Sequence, residues 1–388
     1  MKRLATIKTT SYIEISKSAL KNNLNFINSN LSKKTVFSSV VKGNAYGHGI
    51  ETFVPLALEL GVNHFSCFSA EEAFRVHSII GENGTLLIMG SIFDDQIEWA
   101  ILNKIEFFVF NYNTLNTAIL ISDKLKRNAF IHLEIETGMN RTGFDFNELE
   151  NVFNLVQNHK YVTVKGICTH LAGAESISNY KRIKVQLKTF KSVKGLIKTK
   201  NEINPIYHSL CSAGFLSYPK HKADLVRIGI LQYGFFPSNE NYIQYITKNK
   251  INSNPLIRVI SWKSRIMDIK NVKIGEFIGY GTSYFTNIDT KIAIVPIGYS
   301  NGFARKLSNS GKVLINGSRH DVVGVVNMNM LAVNISELEN ANIGDEVVLI
   351  GNQGNLEISV SSFSDFSNLL NYELLTRLPS NITRTIID

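Results

Sequence analysis

Residues 40–49 read VVKGNAYGHG, a lysine at the end of an apolar run with three glycines behind it. A lysine part-buried at a strand end has a lowered pKa, and the neutral amine that results attacks aldehydes. Pyridoxal phosphate is the usual aldehyde cofactor, so Lys42 is a candidate for a covalent attachment point. A phosphate loop is a competing reading, although there the lysine follows its glycines and Lys42 precedes them. A lysine that merely snorkels from a strand terminus is the plainest alternative.

Such chemistry needs a scaffold that delivers strand ends to one place. Between residue 17 and about 235, short apolar runs alternate with amphipathic stretches. The strand candidates are TVFSSVV (35–41), HFSCF (64–68), TLLIM (85–89), FFVF (107–110), FIHLEIE (130–136), VTVKGICTH (162–170), YHSLC (207–211) and LVRIGI (225–230). Helical patterns fall between them at 51–60, 69–80, 94–102 and 146–158, some opened by Ser or Asp. Eight such units predict a (β/α)8, TIM-like barrel, with a doubly wound sheet as the alternative. Barrel active sites lie at the C-terminal strand ends. There Lys42 follows the first strand, Arg141 the fifth and Ser212 the seventh, while His170 ends the sixth and Arg227 lies on the eighth.

After NKNKINSNP the texture changes to β-branched and aromatic runs broken by turn residues, which predicts a mostly antiparallel β domain. The expected division is a barrel over residues 1–250 and a β domain over 251–388, with residues 1–11 packing against the latter.

The bulk composition fits a globular protein: 388 residues, 44% hydrophobic and 19% charged. Three scattered cysteines form neither a disulfide framework nor a metal-ligand pair, so no metal is expected. No apolar run approaches the roughly 18 residues of a membrane span and no signal-peptide pattern opens the chain, so a soluble, cytoplasmic protein is expected. The net charge of +9 is spread through segments such as KVQLKTFKSVKGLIKTK (184–200), which read as a solvated helix face rather than a nucleic-acid surface.

The motifs resemble those of the alanine racemases, in collinear order along essentially the whole chain. KGNAYGHG is similar to the family's cofactor-lysine signature, LEIETGMNRTG (133–143) to its TGMxRxG segment, and ICTHLAGAES (167–176) to YTHFAxAD. LVRIGILQYG (225–234) resembles VRPGIxxYG, and IGYGTSYF (278–285) resembles GYGxxY. VPIGYSNGFARKL (295–307) resembles IPIGYADGxxRxL, and NYELLTRLPSNITR (371–384) resembles the terminal NYExxxxxxxRxPR segment.

The resemblance implies pyridoxal phosphate held by Lys42, with Tyr46, Ser212, Tyr372 and the backbone of Gly229 and Ile230 at the phosphate. Arg227 would face the pyridine nitrogen, with His170 as a hydrogen-bonding neighbour. A guanidinium always donates, which leaves that nitrogen unprotonated and favours racemisation over transamination. Arg141 would meet the substrate carboxylate, and Met328 and Tyr299 would shape the substrate entrance. Inversion at Cα needs a base on each face, and the resemblance assigns these to Lys42 and Tyr280, the tyrosine coming from the partner in a head-to-tail homodimer. The implied activity is interconversion of L- and D-alanine to supply D-alanine for peptidoglycan.

Several positions depart from the family pattern. Glu134 stands where many members carry a carbamylated lysine, which suggests that its carboxylate pairs with Arg141 directly. Cys211, Asn327 and Asn329 replace the usual asparagine, cysteine and aspartate. The last two alter the substrate channel, so a racemase for serine or a broader set of amino acids is the alternative reading. A decarboxylase on a related barrel and a cofactor carrier are further rivals; the carrier lacks the β domain that IGYGTSYF marks here.

Overall fold

The computed structural model describes residues 9–198, 204–221, 223–363 and 371–388. The chain forms two compact units. One gathers 19–43 and 54–257, and the other 1–18, 44–53 and 258–388, so the residues just after Lys42 group with the β unit.

The first described strand, β1 (Ser11–Ser16), belongs to the β unit. The expectation that residues 1–11 pack there falls mainly on residues outside the described ones. The eight strands that follow are all parallel: β2 (Val36–Val40), β3 (His64–Cys67), β4 (Thr85–Ile88), β5 (Glu106–Val109), β6 (Ala129–Glu134), β7 (Val162–Cys168), β8 (Ile206–His208) and β9 (Leu225–Ile228). Each pairs with the next from β2 to β8, and β9 returns to pair with β2 through Val36–Leu225 to Ser39–Ile228. The seam between β8 and β9 is closed by a parallel bridge at Cys211 and Arg227 and by the Arg227 amide donating to the Leu210 carbonyl at 3.0 Å. That closure decides for a barrel over a doubly wound sheet. Parallel strands covered on both faces are mostly apolar, and β3, β5 and β9 are buried at every residue, the polar His64, Ser66, Glu106 and Arg227 included.

Local signals account for the helices. Ser69 caps Ala70–Ile80 by accepting from the Glu72 amide, and Asn111 caps Tyr112–Leu125 by accepting from that of Thr114. At Asp94–Leu102 the first-turn aspartates do not cap; Gln96 reaches back to the Phe93 amide instead. The lysine-rich stretch lies on Tyr180–Lys198, where Ile183, Gln186, Phe190, Val193 and Ile197 form the buried stripe and Lys184, Lys188 and Lys191 face water. Among the described residues no helix is long and apolar enough to cross a membrane.

The β unit continues with β10 (Ile260–Arg265), β11 (Asp268–Val272), β12 (Thr290–Val295), β13 (Lys312–Ile315), β14 (Ser318–Val323), β15 (Leu331–Asn334), β16 (Glu346–Gln353), β17 (Leu356–Ile358) and β18 (Thr383–Ile387). Their order is β11-β12-β15-β14-β13-β16-β10-β1-β18, with β17 beside β16. Only β1 and β18 pair in parallel; the other described pairs are antiparallel. The sequence reads LIRVISWKSRIMDI as a single run, but the chain breaks it after Arg265 and sends β10 and β11 to distant places in the sheet.

Candidate active site

The end of β2 is pinned from β9's side of the barrel. The Val40 carbonyl accepts from Gln232 Nε2 at 3.0 Å and from the Tyr233 hydroxyl at 2.9 Å. Immediately beyond, Lys42–Tyr46 forms a single helical turn of the wrong hand: φ is +62° at Gly43, +54° at Asn44, +54° at Ala45 and +50° at Tyr46. The three residues with side chains together cost about 3–6 kcal/mol, at roughly 1–2 each. Strain of that size persists where the surroundings over-determine it, typically at functional sites. Here the Asn44 carbonyl takes the Gly49 amide, the Asn44 side chain takes the Ile50 amide, and buried His48 bonds the Ala45 and Tyr46 carbonyls through Nδ1 at 3.0 Å each. Since carbonyls only accept, Nδ1 carries the imidazole proton. Burial pushes the His48 pKa down to about 3.

Lys42 is reachable by solvent, yet protein crowds it closely enough to strip hydration from an ammonium. That desolvation, joined by the positive charges of Arg141 and Arg227, lowers its pKa, with Glu72 opposing.

Arg227 lies on β9, 5% exposed. It donates through Nη1 to His208 Nδ1 and through Nη2 to the Thr169 carbonyl at 2.8 Å. These, rather than His170, are its hydrogen-bond partners. His170 is half-buried, and desolvation together with Arg227, Arg141 and Lys42 brings its pKa to about 3, so it is neutral at physiological pH. The Ser212 hydroxyl accepts from the Gly229 amide at 3.0 Å, next to the turn Ile230–Tyr233, and keeps its own proton to donate.

Arg141 is exposed in a loop shaped by a residue that the motif comparison passes over. The Glu136 carboxylate accepts four successive backbone amides: Oε1 from Gly138 and from Met139 at 2.7 Å, Oε2 from Asn140 at 2.8 Å and from Arg141 at 3.3 Å. Arg182 holds the other side, donating to the Gly138 and Met139 carbonyls. The expected pairing of Glu134 with Arg141 is absent. Glu134 is 5% exposed and accepts from the Thr142 hydroxyl at 2.8 Å, because its place on β6 points the short carboxylate at the loop's return. An acidic residue immediately before TGM was the available signal for Glu136.

Within the β unit, Tyr280, Tyr299 and Met328 line one cavity of about 670 Å³ with Arg305, Asn327 and Asn329. Tyr280 projects between Gly279 and Gly281, both at positive φ, and is 72% exposed. The Tyr299 and Ser300 amides bond the Asn327 and Met328 carbonyls at 3.0 Å, so the Tyr299 turn and the 325–330 loop move as one. The approach needs Gly298: a Cβ there would stand 2.2 Å from the Asn327 carbonyl oxygen. Tyr46 and Tyr372, which the motifs assign to one end of the cofactor, meet edge to face with ring centroids 6.1 Å apart. Among the described residues no cluster of His, Cys, Asp or Glu could hold a metal ion.

The chain matches the family model "Alanine racemase, N-terminal domain" over residues 15–237 and "Alanine racemase, C-terminal domain" over 259–386. It belongs to the alanine racemase family. The alanine racemase of Leptospira interrogans is 34% identical over 98% of this chain and 96% of its own length. Alanine racemase of Clostridium difficile 630 superposes with a TM-score of 0.89 at 29% identity, covering 98% of this chain and 97% of the other. That of Bartonella henselae, solved with covalently bound pyridoxal phosphate, does so at 0.82 and 25% identity over 98% and 100%. The chain is thus an isomerase with alanine racemase function, in a family that depends on pyridoxal phosphate.

Proposed function

We propose that this chain racemises alanine by a two-base mechanism on pyridoxal phosphate bound at Lys42, with the cofactor barrel lying within residues 1–250 and the second base carried by 251–388. The observation that carries the reading is Lys42 itself, an amine desolvated and under the positive charges of Arg141 and Arg227, directly before a strained left-handed turn. The donor set fits an anionic aldehyde. Lys42 supplies the amine, and Ser212 supplies a hydroxyl proton beside the backbone of Gly229 and Ile230 for the phosphate. Tyr46 and Tyr372, whose rings meet edge to face, are assigned to the phosphate by their motifs, and His170 is kept neutral by burial and by the charge of Arg227.

When bound, pyridoxal phosphate withdraws electrons from the Cα of an attached amino acid and so acidifies its Cα–H bond. Lys42, kept toward the neutral amine, takes or returns the proton on one face. Tyr280 does so on the other, and its exposure of 72% beside Tyr299 and Met328 suits a residue that completes the site of a partner subunit. Arg141 binds the substrate carboxylate from the loop that Glu136 holds. Arg227, a donor only, keeps the ring nitrogen unprotonated. Met328 and Tyr299 bound a small entrance, which favours alanine over serine or larger amino acids, and the product D-alanine suits peptidoglycan synthesis.

The test is exchange of Cα hydrogen with solvent deuterium for L- and D-alanine, with racemisation rates on alanine, serine and lysine alongside. Exchange and inversion fastest with alanine support the reading. An amine product, or cofactor binding without exchange, would overturn it. Sedimentation of the holoenzyme as a monomer at assay concentration would refute the shared site.

A further inference from the structure

A file of buried polar side chains crosses the barrel interior behind Arg227. Glu106 on β5, His132 on β6 and His208 on β8 are 7%, 0% and 0% exposed. His132 Nε2 lies 2.8 Å from Glu106 Oε2, His132 Nδ1 lies 2.8 Å from His208 Nε2, and His208 Nδ1 is bonded to Arg227 Nη1.

The two ends of this file dictate every proton in it. A guanidinium has donors only, so His208 Nδ1 must accept, and the ring carries its proton on Nε2. That N–H donates to His132 Nδ1, which places the second ring's proton on Nε2, donating to the carboxylate. A further proton on either imidazole would set two N–H groups against each other. Burial, and then the Arg227 charge, keep His208 far below the usual imidazole value. Glu106 is pushed up by burial but brought down further by the hydrogen bond that His132 donates and by the positive charge of Lys165, so it stays an ionised acceptor.

The surrounding packing is specific to this file. Phe108 stacks on the His132 ring at 6.2 Å and 25°, lies 5.9 Å from the His208 ring, and places its face 5.7 Å from Arg227 Cζ. The β6–β7 ladder shifts register between Ile131 and His132, opposite Gly166, whose missing side chain leaves the room the imidazole occupies.

We propose that Glu106 and His132 are positioning residues of the racemase: through His208 they hold Arg227 in one orientation, as a fixed donor toward the cofactor's ring nitrogen. This rests on the reading of Arg227 given above. The relay acts on the choice of outcome, since an arginine free to turn away would let that nitrogen take up a proton and raise the share of transamination.

The test is solid-state ¹⁵N NMR of the full-length protein labelled at histidine, with and without cofactor, joined to the ratio of transamination to racemisation in the holoenzyme. In the wild type, His208 and His132 are expected to carry protons on Nε2 and bare nitrogens at Nδ1 in both states. Glu106→Leu removes the terminal acceptor. It is expected to mix the His132 tautomers and raise the ratio about tenfold, the low end for outer partners of a working histidine. Glu106→Gln, whose amide oxygen accepts the same bond, is expected to restore the wild-type tautomers and lower the ratio again. A proton on His208 Nδ1 in the wild type overturns the proposal whether or not Glu106→Leu folds, as does an unchanged ratio in a folded Glu106→Leu. Loss of alanine racemisation as the wild-type activity would instead overturn the reading of Arg227 and leave the tautomer result standing.

Discussion

Gly166 on β7 approaches His132 on β6 so closely that a Cβ on the glycine would stand 2.2 Å from the imidazole Nδ1. Gly166→Ala must therefore move either the ring or the strand. Overpacking of this kind costs about 1–3 kcal/mol, and a denaturation midpoint lowered accordingly, with a changed His132 resonance, is the expected result. A variant with wild-type stability and an unmoved ring would contradict the contact.

The two-base reading separates by enantiomer. Lys42→Ala and Tyr280→Phe each remove a proton acceptor, and each is expected to lower Cα exchange by roughly 10²–10⁴-fold for one enantiomer of alanine, the opposite one in the two variants. Parallel loss for both enantiomers in both variants would count against opposed bases. Exchange of deuterium into each enantiomer, followed by NMR, supplies the measurement.

Glu136 gives the Arg141 loop its shape by receiving four amides on one carboxylate. In Glu136→Gln the side-chain NH2 faces two of those donors, and leaving them unpaired costs about 1–3 kcal/mol. The loss is expected mainly as a raised KM for alanine, because Arg141 is displaced from the substrate carboxylate while Lys42 and Arg227 stay in place. Steady-state kinetics showing kcat reduced at constant KM would argue against that role.

His48 links the strained turn to pH. Its pKa falls from 6.5 to about 3 on folding, so the unfolded chain binds the extra proton between those values. Stability from this group is complete above about pH 6.5 and declines as pH falls toward 3, by up to about 1.4 kcal/mol per pH unit. Urea titrations between pH 4 and 7 should show that slope in the wild type and a shallower one in His48→Gln. Equal slopes would show that His48 does not titrate in this window.

The elements were legible because their signals are local. Each barrel strand lies within two residues of its apolar run at either end, except that β8 stops three residues short of the end of YHSLC, where the 209–211 segment leaves the ladder. Glu134 was misjudged for a reason that spacing cannot convey: eight residues along the chain, Thr142 returns on the far side of the loop and takes the carboxylate before Arg141 can. Glu106 carried a faint signal as a charge opening the strand EFFV, and Gly166 another as a glycine inside a strand, but neither named a partner.

The amino-acid sequence by itself pointed to the reaction class, because Lys42, Arg141, Arg227 and Tyr280 each sit in a short motif that resembles one of the alanine racemases, in the same order along the chain. It also narrowed the fold to a barrel or a doubly wound sheet, since alternating apolar runs and amphipathic helices leave few ways to bury eight parallel strands, and the pairing of β9 with β2 then decided for the barrel. Tertiary structure alone decided which ring nitrogens of His132 and His208 hold protons. Hydrogen-bond direction depends on which donor meets which acceptor, and the meeting of Glu106, His132, His208 and Arg227 joins four strands up to 121 residues apart in the chain.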